Sequence, residues 1–142
     1  MDERIMEHLK LLQKYLDYLT EFSQRTREEF LHDIVLRGAT ERYLQLVIES
    51  TLNIGNRIIA TEAARSSINA PENYADVFVK LGELGIISQE FALELVKMAR
   101  FRNRLVHAYW EVDAGMLYEI LQDDLQDLVK FKNEVIAYLS GK

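Results

Sequence analysis

The sequence predicts an all-α fold, an up-and-down bundle of four main helices with one or two short ones. Three observations carry this. Apolar residues recur at three- and four-residue steps almost without interruption, the period of a helix with one buried face. Alternating strand patterns are nearly absent. The single proline, Pro71, and the six glycines fall mostly between the periodic segments, where turn residues belong.

The first helix is expected over about Asp2 to Arg25, with Ile5, Leu9, Leu12, Leu16 and Leu19 as its buried stripe and Tyr15 and Phe22 beside it. A helical turn or two follows over Arg27 to Asp33, carrying Phe30 and Leu31. Gly38 followed by Thr40 reads as a stop and a new N-cap. The long third segment, Glu41 to about Arg65, has a broad apolar face of Tyr43, Leu44, Val47, Ile48, Ile54, Ile58 and Ile59. A second stripe on it is polar: Glu41, Gln45, Glu49, Asn53 and Asn56. That stripe is either a solvated face or the lining of a site. Ser66 to Asn73 is the clearest loop, and Asn73 with Asp76 forms a capping pattern for a short helix ending near Leu84, stopped by Gly85. Ser88 caps the next helix, and Asp113 caps the last, which runs to about Leu139 with Leu117, Leu121, Leu125, Leu128, Val135 and Leu139 inward.

At 142 residues the chain suits one domain spanning 1–142. Such a chain buries roughly 70% of its unfolded surface, so it needs no staple. It has no cysteine, which excludes thiolate zinc sites, redox pairs, Cys nucleophiles and a disulfide scaffold. No run approaches the ~20 apolar residues of a membrane span, and the start does not read as a signal peptide; a cytoplasmic location without membrane association is the expectation. The net charge of -6 argues against a sequence-reading DNA binder but leaves room for a local basic site.

The chemistry concentrates near the end of the helix that begins after Ser88. Phe91, Leu95, Met98, Leu105 and Tyr109 form one stripe, and Ala92, Val96, Ala99, Val106 and Trp110 its neighbour. Arg102 interrupts the first and Asn103 the second. Polar groups on an apolar face cost ~1–3 kcal/mol each if left unpartnered. They therefore belong to a hydrogen-bonded network, a cleft wall or a subunit interface. Charge favours a cleft or interface: Lys97, Arg100, Arg102 and Arg104 lie within eight residues, with no acid between Glu94 and Glu111. This suits a phosphate-rich ligand, although Arg104 fits an intrahelical pair as well. His107 adds a group that exchanges a proton near neutrality. The competing reading is a structural histidine, an Arg102 that snorkels or pairs with a glutamate, and two core aromatics at Tyr109 and Trp110. His8 and His32 have no comparable surroundings. On an ideal helix Asn103 and His107 lie about 40° apart, but Arg102 and His107 about 140°. Either the helix is distorted, or a second copy of the chain completes the site through a twofold axis.

Arg102-Asn103-Arg104-Leu105-Val106-His107-Ala108-Tyr109 fits the pattern R-x-x-x-x-H-x-Y. With the runs ERYLQ (Glu41 to Gln45), YADVFVKLGELGII (Tyr74 to Ile87) and MARFRNRLVHAYW (Met98 to Trp110), it resembles the HEPN superfamily, specifically its HepT-type toxin branch, over nearly the whole chain. The resemblance implies an endoribonuclease that uses neither metal nor cofactor and acts as a homodimer with its site at the interface. Arg102 and His107 would be the catalytic pair and Asn103 a supporting residue. Lys97, Arg100 and Arg104 would contact an RNA substrate, tRNA or mRNA, while DNA, lacking the 2′-hydroxyl, would not be cut. It further implies a type VII-like toxin–antitoxin pair, in which a separate MntA-type nucleotidyltransferase antitoxin silences the toxin by AMPylation of Tyr109. The alternative within the same superfamily is a non-catalytic module that binds a partner nucleotidyltransferase or a nucleotide.

Overall fold

The computed structural model describes residues 2–141. Its elements are all helical: α1 (Glu3–Phe22), α2 (Arg27–Leu31), α3 (Ile34–Glu62), α4 (Tyr74–Glu83), α5 (Gln89–His107), a 3-10 turn (Tyr109–Glu111), α6 (Ala114–Asp123) and α7 (Leu125–Ser140). The periodic stripe of α1 is buried as expected, and α1 lies chiefly along α3, with α7 on its other flank. The short helix α4 packs on α5, and both lean on α3. Phe78 of α4 meets Phe131 of α7 edge to face, ring centroids 6.1 Å apart, near the centre of the apolar core. No helix among the described residues is long and apolar enough to cross a membrane.

Local chemistry fixes most boundaries. The Asn73 carboxamide accepts from the Asp76 amide at 2.9 Å, and the Ser88 hydroxyl from the Phe91 amide at 3.1 Å. Gly85, at φ 77°, closes α4 with paired bonds from Ile86 N to Leu81 O and from Gly85 N to Gly82 O. That left-handed turn suits a residue without a Cβ. Two expectations are corrected. Gly38 and Thr40 do not separate two helices; α3 begins at Ile34, where the Asp33 carboxylate accepts from the Leu36 amide at 3.0 Å. A carboxylate cap satisfies a free helical amide, and the ~1 kcal/mol cost of one interior glycine is small against the packing of so long a helix. Thr40, fully buried, returns its hydroxyl to Leu36 O at 2.8 Å, the usual way a threonine is accommodated inside a helix. The expected last helix is divided at Asp124 (φ -107°, ψ -11°). Asp127 stands in the first turn of α7, where a negative charge is favoured.

Close approach of α3 and α4 depends on Gly55. A Cβ there would stand 2.6 Å from Val77 Cγ1 and 3.2 Å from Leu81 Cδ1. Val77 is β-branched and buried, so it cannot rotate away freely. Gly55→Ala is expected to destabilise the fold by about 1–3 kcal/mol, readable in urea denaturation. An unchanged midpoint would mean that the helices separate more easily than their packing suggests.

Candidate active site at the end of α5

Helix α5 is regular through His107 and ends at Ala108 (φ -145°, ψ 43°). The distorted-helix explanation of the Arg102–His107 geometry therefore falls away. Asn103 and His107 share the wall of one open groove of about 510 Å³, whose other walls come from Asn56 of α3, the Pro71–Asn73 loop, and Tyr74 and Val77 of α4. The groove exists because the loop between α3 and α4, capped at Asn73, passes beside the last turn of α5. His107 is exposed, and its imidazole makes no hydrogen bond among the described residues, so both ring nitrogens are free for a ligand.

Arg102 points differently. Its side chain is only 13% exposed, and its guanidinium lies 3.7 Å from the Glu49 carboxylate of α3. Nη1 reaches Asn103 Oδ1 at 3.3 Å. Its Cζ stands 4.8 Å from the centre of the Tyr74 ring, within cation–π range. Nε is buried without a hydrogen-bond partner. Glu49 is itself held by the Gln45 carboxamide at 3.1 Å. The polar stripe of α3 is thus more than a solvated face: Glu49 positions the arginine and Asn56 lines the groove. Tyr74 links the two halves, touching the guanidinium and walling the groove. The α3 stripe signalled Glu49 weakly; Tyr74 stood only as the first residue of the run YADVFVKLGELGII, with no role at the site.

Tyr109 and Trp110 are not core aromatics. The helix ends before them, and on the 3-10 turn they are 64% and 71% exposed. Their rings meet at 5.5 Å and 78°. The core-like stripe ends at Leu105, since helical spacing no longer applies beyond Ala108.

The remaining cations do not gather around His107. Lys97, Arg100 and Arg104 border a second cavity of about 300 Å³ floored by side chains such as Leu44, Ile48, Met98 and Phe101. Lys97 pairs with Glu94 at 3.3 Å. Arg104 donates to the Glu111 carbonyl at 3.3 Å and lies 4.0 Å from its carboxylate, a bond across the turn rather than along the helix. Arg100 has no ion pair among the described residues. Among those residues, too, no three His, Asp or Glu side chains converge as metal ligands.

Asp124 and Asp127 also border this second cavity. Burial raises the Asp124 carboxyl above its ordinary 3.8, with Asp127, Asp123 and Glu94 adding to the rise and Lys97 opposing it. A carboxyl raised by folding binds its proton more tightly in the native state, so its ionisation destabilises as pH climbs above the unfolded value. Asp124→Asn is therefore expected to raise the melting temperature at pH ~7 and to give no gain near pH ~3, where the unfolded aspartate is protonated too. Paired thermal melts read this directly; an equal gain at both pH values would contradict it.

Arg102 and His107 of the R-x-x-x-x-H-x-Y pattern lie in the last turns of a long regular helix, with Tyr109 just beyond it, in an all-helical bundle, an arrangement similar to the HEPN superfamily. More narrowly, a family model described as Ribonuclease HepT-like matches residues 12–135, and the chain belongs to that family. It is 27% identical over 137 residues to the tRNA nuclease HepT of Aphanizomenon flos-aquae, covering 95% of this chain and 89% of that relative. It is 27% identical over 109 residues to the mRNA nuclease HepT of Shewanella oneidensis, covering 77% and 79%. The fold matches that of a tri-AMPylated Shewanella oneidensis HEPN toxin solved in complex with MNT antitoxin, with a TM-score of 0.86 at 23% identity over 96% of this chain and 99% of that one.

Proposed function

We propose that this protein is an endoribonuclease toxin that cleaves RNA without a metal, at a site formed between two copies of the chain. The observation that carries the reading is the unbonded His107 imidazole on an open groove beside Asn103, five residues along the helix from an arginine fixed by Glu49 and Tyr74. His107 takes the proton of a ribose 2′-hydroxyl. The 2′-oxygen attacks the adjacent phosphorus, the P–O5′ bond breaks, and the departing 5′-oxygen receives a proton from the protonated imidazole, acting now as general acid, or from water. The products are a 2′,3′-cyclic phosphate and a 5′-hydroxyl. Arg102 offsets the charge that develops on the phosphoryl oxygens, for which its fork is well shaped. DNA lacks the nucleophile and is not cut.

Within one chain, Arg102 and His107 leave a regular helix in directions about 140° apart. That divergence supports a homodimer, in which a twofold axis would bring the arginine of one copy to the histidine of the other. The two named relatives point to tRNA and mRNA as the substrate classes. Tyr109, exposed and two residues beyond His107, is placed to receive AMP from a separate MntA-type nucleotidyltransferase antitoxin. Added phosphate there would occupy the position that RNA needs.

A second reading, a non-catalytic module that binds a nucleotidyltransferase or a nucleotide, is favoured by one observation. Lys97 and Arg104 are already paired with Glu94 and Glu111, which leaves little free positive charge for RNA. Incubation with tRNA and with mRNA in excess EDTA separates the two. The nuclease reading expects fragments ending in 2′,3′-cyclic phosphate. Intact RNA, together with a stable transferase complex and no growth arrest on expression, would replace it with the second reading. Co-expression with the transferase is expected to add mass in steps of one AMP, lost in Tyr109→Phe.

A further inference from the structure

We propose that Trp110 is a stacking platform for a base of single-stranded RNA next to the scissile phosphate, a binding role that rests on the ribonuclease reading above. Trp110 is the only tryptophan of the chain, and it is left 71% exposed three residues beyond His107. An indole so exposed contributes little to the fold. The turn that carries it needs no large apolar group, since it is held by Glu111 N to Ala108 O and Val112 N to Tyr109 O.

The indole has one aromatic neighbour. The Tyr109 ring stands nearly perpendicular to it at 5.5 Å, an arrangement aromatic pairs favour. Arg104 ties the far end of the turn to α5 through the Glu111 carbonyl. A flat, exposed π-surface suits a nucleobase, because every base offers a face to stack and the hold tolerates sequence. In-line attack by a 2′-hydroxyl also requires the nucleotide to leave its helical stack, and the displaced base then needs a surface. The neighbours favour RNA over a second copy of the chain. Around Trp110 in sequence stand Ala108, Tyr109, Glu111, Val112 and Asp113; Val112 is half-buried, so the exposed large apolar surface of this turn is the aromatic pair alone, and the core of a subunit interface needs a broader apolar patch.

The lone tryptophan makes the test direct. In a His107→Ala protein, which is expected to bind without turnover, a short single-stranded RNA is titrated while Trp110 emission and the anisotropy of a labelled RNA are read together. Saturable quenching should follow the anisotropy curve. Trp110→Ala should weaken binding by about ten- to a hundredfold, and Trp110→Phe should retain most of it. RNA binding by anisotropy with unchanged emission, or equal affinity in the alanine variant, overturns the stacking role and leaves the ribonuclease reading intact. Blue-shifted emission shielded from acrylamide in the RNA-free protein overturns it in favour of a second copy covering the indole. Absence of any RNA binding, with no cleavage by the unaltered protein, is the distinct result in which the ribonuclease reading itself fails.

Discussion

His107→Ala is expected to lower the rate of RNA cleavage by about 10²–10⁴-fold, the contribution typical of a positioned general acid or base. The fold should not register the change. The imidazole is exposed and makes no hydrogen bond among the described residues, and substitutions of that kind usually move stability by no more than about 0.5 kcal/mol. Single-turnover cleavage of tRNA and a thermal melt on the same preparation check both halves. A variant that cuts at the original rate would remove His107 from the chemistry. A variant that fails to fold would show that the imidazole is structural after all.

Arg102 is expected to behave differently, because it serves the fold and the reaction together. Arg102→Ala leaves the Glu49 carboxylate without its guanidinium and the Tyr74 ring without its cation. Loss of a partner from a partly buried pair costs about 1–3 kcal/mol. Cleavage should fall by about 10²–10³-fold, the usual effect of removing one donor to developing negative charge. Arg102→Lys should recover stability better than activity, since an ammonium replaces the charge but not the planar fork. The double variant Arg102→Ala, Glu49→Ala separates the roles. Removing both partners should restore much of the lost stability and none of the lost cleavage. If the double variant regains activity, the arginine acts only through the fold.

Much of this was legible in the sequence because it follows from local chemistry. The stripe on α1, the caps at Asn73, Ser88 and Asp113, and the stop at Gly85 each depend on a few adjacent residues, and each is where the spacing predicts it. The misread boundaries are those where tertiary packing outweighs a local signal. Gly38 is a poor helix residue, but the Asp33 cap and the buried face of α3 carry the helix through it. The break at Asp124 lacks the glycine or proline that would announce it. At the site, the spacing of Asn103 and His107 put them about 40° apart on the helix, and they line one groove. The tether from Arg102 to Glu49 joins residues 53 apart in the sequence, and periodicity cannot specify such a pair. Tyr109 and Trp110 continued an apolar pattern whose helix had already ended, so their exposure became visible only in three dimensions.

The composite site is tested most directly by mixing two inactive proteins. Arg102→Ala and His107→Ala chains are each expected to be nearly silent on RNA in EDTA. Subunit exchange between equal amounts should form mixed dimers in which one of the two sites regains an arginine from one copy and a histidine from the other, returning about a quarter of the original activity. A mixture that exchanges subunits yet remains as inactive as its components would contradict a site shared between two chains.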